Sequence, residues 1–152
     1  MSEPLSLVAA LVGLAAASLE ITTSLSKLRA ALKGAPTLLT TTEIEVRVVA
    51  ATLKLVERYF VREIEARNLE MIPIESFTAL IADCVQTFSA LQSTIDQFSS
   101  MKRSKRPWDQ VKWVVKEKEF RHSIERMQRQ KLSLNLLLGT MRWYVACRAL
   151  HL

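Results

Sequence analysis

Few residues in this sequence have the types and spacing that metal binding or thiol chemistry requires. The two cysteines, Cys84 and Cys147, lie far apart, and His122 is distant from both. A protein metal site needs several ligands at close spacing, and Cys147 with His151 supplies at most one pair. Since each cysteine falls inside a helical pattern, we expect both to be small buried hydrophobes. We expect His122, in a basic and polar stretch, to be a solvated surface residue.

The acidic residues and the glycines also lack a catalytic arrangement. Glu117 and Glu119 are two residues apart on a predicted helix, so their side chains point to different faces, and Glu63 and Glu65 repeat this spacing. The three glycines stand alone and form no phosphate-binding loop. Neither a G-x-S-x-G nor an H-E-x-x-H motif is present. We predict that the protein is not an enzyme and has no cofactor, metal or small-molecule substrate.

Positive charge is concentrated in one segment. Residues 102–131 contain eleven basic and four acidic residues, a net charge of +7, whereas the whole chain carries +6. Such a segment binds nucleic acid, anionic lipid or an acidic partner, or is simply a solvated face. We expect no nucleic acid, because no nucleic-acid-binding motif is recognisable. The candidate residues for contact with an anionic surface are Lys102, Arg103, Lys105, Arg106, Lys112 and Lys116.

The N-terminal segment is unusually apolar. Pro4 to Leu19 is an uncharged run of 16 residues, short of the roughly 20 that span a bilayer. No positively charged region precedes it, so we expect no secretory signal and a cytoplasmic protein that is recruited to membranes. Because this half-helix is apolar on nearly every face, we expect it to be either buried on all sides or suited to lipid. The candidate residues for membrane insertion are Leu5, Leu7, Val8, Leu11, Val12, Gly13, Leu14 and Leu19.

Apolar residues at alternating spacings of four and three predict long helices and an all-α fold. The predicted helices are Leu5–Lys33, Thr42–Asn68, Glu75–Ser99 and Lys118–Cys147, with one extra short helix, Trp108–Lys116, before the last. Thr42 and Glu45 form a capping-box pattern at the start of the second helix. We therefore predict one four-helix-bundle-like domain over residues 1–147, with residues 148–152 as a frayed tail.

The apolar residues at these spacings form one stripe along each helix, and we predict that the stripes face the core. In the third helix the stripe is unbroken. In the last helix Lys131 interrupts it, and we expect its ammonium to leave the core while its stem stays buried. The stripe of the third helix is Phe77, Ile81, Cys84, Phe88, Leu91, Ile95 and Phe98. The stripe of the last helix is Phe120, Ile124, Met127, Lys131, Leu134, Leu138, Met141 and Val145.

Four segments carry motifs of one known family, namely residues 1–14, 84–89, 108–118 and 131–136. Together they resemble the fungal HeLo-like N-terminal domains of STAND (NLR-like) proteins. Residues 1–14 (MSEPLSLVAALVGL) resemble the family's opening D-P-L-S-[IV]-x-x-x-x-x-G-L pattern, with Glu3 in place of Asp. Residues 108–118 (WDQVKWVVKEK) resemble its W-D-x-[LV]-K-W-x-x-K-E-K segment. Residues 84–89 (CVQTFS) and 131–136 (KLSLNL) resemble its C-V-x-T-F-S and K-S-S-L-N-L stretches, with Leu132 where Ser is usual. Order and spacing match over nearly the whole chain.

The resemblance implies a HeLo-type helical bundle related to the HeLo/HELL cell-death domains. Members stand alone or precede nucleotide-binding and repeat domains. The implied function is non-enzymatic signalling or execution in fungal regulated cell death, acting at membranes through the apolar N-terminal helix after activation or oligomerisation. The alternative is a protein–protein interaction or oligomerisation module with no lipid activity. The expected partners are further copies of the chain or another protein, and anionic membrane lipid.

Overall fold

The computed structural model describes residues 3–31, 37–68, 70, 72–102 and 110–150, with the side chains of 3, 101, 102 and 110–115 outside the description. Four helices account for nearly all of this part of the chain, and it contains no strand. They are α1 (Glu3–Ala31), α2 (Thr37–Glu65), α3 (Ile74–Lys102) and α4 (Gln110–Leu150). The predicted all-α bundle is therefore confirmed.

The helices form a ring around one apolar core. α1 packs against α2 and α3, and α4 packs against the same two helices, so α1 lies diagonally across from α4. The rings of Phe60 and Phe77 meet edge to face across the core, with centroids 4.7 Å apart. Phe98 and Phe120 form a second edge-to-face pair between α3 and α4, at 6.3 Å. These aromatic pairs stabilise the bundle beyond the area that they bury.

The predicted core stripes agree with the structure almost throughout. All seven residues of the α3 stripe are buried. The same alternation predicts an inner stripe for the first helix, and its residues up to Leu28 are buried. This stripe is Leu7, Leu11, Leu14, Ser18, Ile21, Leu25, Leu28 and Leu32. Lys131 directs its Nζ atom out of the core to Glu45 Oε2, 3.5 Å away, as predicted. Val145 is an exception, being 37% exposed. Leu32 lies outside the described residues.

The predicted start of α2 is wrong. The helix begins at Thr37, and Thr42 lies within it with its hydroxyl donating a hydrogen bond to the Leu38 carbonyl at 2.7 Å. Thr42 is therefore not an N-cap. The helix extends further because Leu39 is fully buried and adds an apolar contact one turn earlier.

The predicted end of α2 is three residues late. Arg67 adopts a left-handed conformation with φ of 59°. The Asn68 amide then donates to the Glu63 carbonyl at 2.9 Å and the Arg67 amide to the Ile64 carbonyl at 3.1 Å. This is a Schellman motif, which ends the helix at Glu65.

The predicted short helix before the last long one is also wrong from residue 110 onward. α4 is a single helix of 41 residues, Gln110–Leu150. The chain contains no proline or glycine between Pro107 and Gly139, so nothing interrupts the backbone hydrogen bonds. α3 continues to Lys102, so residues 100–102, expected to be a connection, are helical. Trp108 and the rest of residues 103–109 lie outside the described part.

Candidate functional site

The inner face of α1 belongs to the bundle core. Of the residues predicted for membrane insertion, Leu7, Leu11 and Leu14 are 6%, 1% and 4% exposed. They continue into the buried residues of the second half of the helix, such as Ile21 and Leu25. Contact of these three leucines with lipid would therefore require α1 to leave the bundle.

The outer face of α1 is apolar and exposed to solvent. Leu5, Val12 and Leu19 are 63%, 51% and 70% exposed. Exposed Ala9 and Ala16 lie between them, so the spacing again alternates between four and three residues. Val8 is partly buried, and Gly13 is exposed. Of the two alternatives, a helix buried on all sides is therefore excluded, because the bundle covers one face only. We name residues Leu5, Ala9, Val12, Ala16 and Leu19 the α1 outer stripe.

The apolar part of α1 is also longer than its uncharged run. Pro4–Ala31, 28 residues, is long and apolar enough to cross a membrane by length and composition. The uncharged run alone, which ends before Glu20, has 16 residues and is too short to span a bilayer. Core helices of soluble proteins meet the same criterion, and 33% of the most apolar window is buried here. Length and composition of α1 are therefore compatible with insertion into a membrane.

One ionic cluster attaches α1 to α2 through polar groups. Arg29 Nη1 lies 3.1 Å from Glu43 Oε2, and Arg47 Nη2 lies 2.9 Å from Glu43 Oε1. The Arg29 guanidinium also donates to the Thr40 hydroxyl at 3.4 Å. Among the described side chains, Arg29 makes the only polar contact from α1 to another helix. The described side chains in the first half of α1 are therefore held to the other helices by apolar packing, whereas its last turn also makes ionic contacts.

The basic candidates are largely outside the description. Arg103, Lys105 and Arg106 lie among residues 103–109, and the side chains of Lys102 and Lys112 are likewise not described. Lys116 is described: its side chain is 12% exposed and its Nζ atom lies 3.3 Å from Glu119 Oε2. The same ammonium donates to the Gln97 side chain on α3. Lys116 therefore stabilises the contact between α3 and α4.

A polar network between α3 and α4 was not predicted. Asp83 accepts hydrogen bonds from Arg126 at 2.5 Å and Gln130 at 2.6 Å, and Gln130 also donates to the Thr87 hydroxyl at 2.7 Å. Burial acts to raise the pKa of Asp83, but the hydrogen bonds from Gln130 and Arg126, with nearby positive charge, lower it overall. Sequence spacing could not reveal this network, because its members lie on different helices.

The remaining chemical candidates, the two cysteines and His122, differ in exposure. Cys84 is fully buried, and burial together with the Asp83 charge raises the pKa of its thiol to about 12. Cys147 is half-buried, so the expectation that both cysteines are buried holds for Cys84 only. His122 is exposed, as predicted. The described residues contain no cluster of three or more His, Cys, Asp or Glu that could hold a metal ion.

Comparison of the chain with known family models, curated proteins and solved structures found no match in any of the three.

Proposed function

We propose that this protein is a non-enzymatic effector domain of HeLo type that acts on membranes through α1 after activation or self-association. The observation that carries the proposal is the two-sided character of α1, with one apolar face in the core and an apolar outer stripe in solvent. The sequence resemblance to fungal HeLo-like domains supports a role in regulated cell death.

The burial of the inner face of α1 supports an activation step in this proposal. Burying an exposed leucine or valine in lipid gains about 1.5–3 kcal/mol, and the outer stripe offers three such side chains. The inner leucines gain little, since they exchange an apolar core for apolar lipid. Removing α1 also uncovers the core residues of α2 and α3. The resting bundle therefore retains α1 until another contact compensates for that loss.

The basic residues Lys102, Arg103, Lys105 and Arg106 would provide the first contact. Each basic residue near an anionic surface contributes about 1 kcal/mol, and salt screens this attraction. We expect replacement of all four by Gln to weaken recruitment to anionic vesicles and to make the remaining binding less sensitive to salt. Vesicle co-sedimentation at several salt concentrations measures both effects.

A matched control removes the same charge elsewhere. Lys54, Arg58, Arg62 and Arg67 are exposed on or just after α2. Their replacement by Gln lowers the net charge equally, so we expect recruitment to change much less. Equal loss in both variants would mean that net charge, not this segment, governs recruitment.

The competing function is an interaction module without lipid activity, and the long exposed apolar face of α4 favours it as the second candidate. Dye leakage from anionic liposomes distinguishes the two. If the folded protein neither binds nor permeabilises such liposomes, even when a fused assembly domain forces it to oligomerise, the membrane proposal is wrong and the interaction module replaces it.

A further inference from the structure

The second half of α4 carries an apolar stripe on the face opposite the core. Leu132, Leu136, Trp143 and Leu150 are 61%, 65%, 69% and 86% exposed. Gly139 and Ala146, also exposed, complete an alternation of four and three residues. This spacing keeps the residues on one side of a helix, as in the seam of a coiled coil. We name Leu132, Leu136, Gly139, Trp143, Ala146 and Leu150 the α4 outer stripe.

The charges that α4 itself carries beside the outer stripe are positive, and three of them, Arg126, Lys131 and Arg148, form ion pairs with Asp83, Glu45 and Glu70. From residue 126 to residue 150 the chain has five basic residues and no acidic residue. Arg129 and Arg142 lie on opposite sides of the stripe by helical position and are both exposed. Within the described part of the chain, neither forms an ion pair. An apolar partner surface with negative charge at its edges would complement this face.

The same molecule has such a surface between α1 and α3. A groove of about 670 Å³ opens there, with Leu14, Ile21 and Phe88 among its lining residues. The Cα of Gly13 faces open space, since a Cβ built there meets nothing within 4 Å. The charged residues that line the groove are Glu20 and Asp96, both acidic. The groove is therefore apolar along its floor and negative at its edge.

The two surfaces also agree in length. The groove extends from Ala10 to Ile21 along α1, which at 1.5 Å per residue is about 16 Å. Leu132 to Trp143 covers the same number of residues on α4, so the central part of the α4 outer stripe is also about 16 Å long. A helix can therefore place this part of the stripe along the whole groove.

We propose that the α4 outer stripe of one copy docks in the α1–α3 groove of another copy. Glu20 and Asp96 both line one end of the groove, whereas Arg129 and Arg142 are about 20 Å apart along α4. The direction of the docked helix therefore decides which of the two arginines approaches this acidic end. Because the two surfaces differ, a docked pair still has one free stripe and one free groove. Further copies can add to these, so the contact generates a ring or an open chain. This inference deepens the proposed function, since it supplies the self-association that the function requires.

The observations favour a second copy over the other occupants. Pairing of two α4 stripes would bring Arg129 and Arg142 against the same positive charges. An anionic membrane would match α4 but would leave the groove without a partner. Docking in the groove also leaves the α1 outer stripe free, because Leu5, Val12 and Leu19 do not line it.

The test measures assembly of the full chain in solution without lipid, so that its failure is separate from failure of the membrane proposal. We expect sedimentation velocity to give a weight-average mass that rises with concentration beyond twice the 17.2 kDa chain. The double variant Leu136→Glu, Trp143→Glu should weaken self-association by at least about tenfold. Leu55→Glu is the matched control, since Leu55 is an exposed leucine on α2, and it should assemble as the wild type does.

Blocking the groove should have the same effect as blocking the stripe. Gly13→Phe places a ring in the open space, while Gly13→Ala leaves most of the groove free and should still assemble. Circular dichroism and thermal unfolding show whether the Gly13→Phe variant is folded. If it is not, Ser89→Trp replaces it, because Ser89 lines the groove on the α3 side and a tryptophan there fills the same space.

Mixing the two blocked proteins is the decisive experiment. Each retains one intact surface, so the stripe-blocked and groove-blocked variants should form a one-to-one complex of twice the 17.2 kDa chain and no larger species. If only the stripe variant loses assembly and mixing restores nothing, α4 pairs with itself and the proposal is wrong. If the wild type stays monomeric at every concentration, the proposal is also wrong. Loss of vesicle binding by the stripe variant would then assign that face to lipid.

Discussion

Val12→Glu should abolish membrane permeabilisation while leaving the bundle folded. Val12 is 51% exposed on the outer face of α1. A glutamate there extends into water, so we expect the free energy of unfolding to change by less than about 0.5 kcal/mol. The neighbouring Leu11 is 1% exposed, and Leu11→Glu should cost about 3–5 kcal/mol because it buries a carboxyl group without a partner in the apolar core.

The expected effect of Val12→Glu on insertion follows from the cost of charge in hydrocarbon. An acidic residue at the centre of a membrane helix costs about 2.5–3.5 kcal/mol on insertion scales. This corresponds to about 60- to 300-fold less inserted protein. Recruitment to the vesicle surface should be almost unchanged, because it depends on the basic segment rather than on α1.

Dye release from anionic liposomes, measured beside denaturant unfolding of the same samples, checks this prediction. Ile44→Glu is the matched control, since Ile44 is 54% exposed on α2, and it should leave leakage unchanged. A folded Val12→Glu variant that releases dye at the wild-type rate would show that the outer face of α1 does not enter lipid. Equal loss of leakage in Ile44→Glu would show a general effect of added charge.

Three further predictions concern the bundle itself. Phe88→Ala should lower the free energy of unfolding by about 3–5 kcal/mol, since Phe88 is 2% exposed; an unchanged denaturation midpoint would contradict its buried position. The bundle should lose stability as the pH falls below 3.8, the ordinary pKa of an aspartate, and through the lowered pKa of Asp83, because protonation removes the charged form that the folded state favours. Asp83→Asn should reduce this loss. The same dependence of stability on pH in wild type and variant would contradict the prediction. Iodoacetamide should modify Cys147 well before Cys84, whose thiol is buried with its pKa raised to about 12. Mass spectrometry measures the alkylation rate of each cysteine in the native protein, and equal rates would refute the buried position of Cys84.

The sequence by itself determined the helices and the inner faces. The alternation of four and three apolar residues is a local property, because a helix places residues at these spacings on one side whatever it packs against. All seven core positions that it predicted for α3 are therefore buried, and it predicted that Lys131 would extend out of the core. The helix boundaries were harder to predict. A Schellman motif at Arg67, rather than a glycine, ends α2, and the buried Leu39 moves its start one turn earlier.

The tertiary structure decided which apolar faces remain uncovered. A helix that is apolar all round has the same local pattern whether it is central or peripheral, and only its position in the ring shows that α1 buries Leu11 and exposes Val12. The groove beside Gly13 likewise depends on the separation of α1 from α3, which no spacing within one helix contains. The α4 outer stripe was present in the sequence as a second alternation, but only packing of the opposite face shows that it is left in solvent. Burial is a property of pairs of helices, so the inner and outer faces could be distinguished only once those pairs were known.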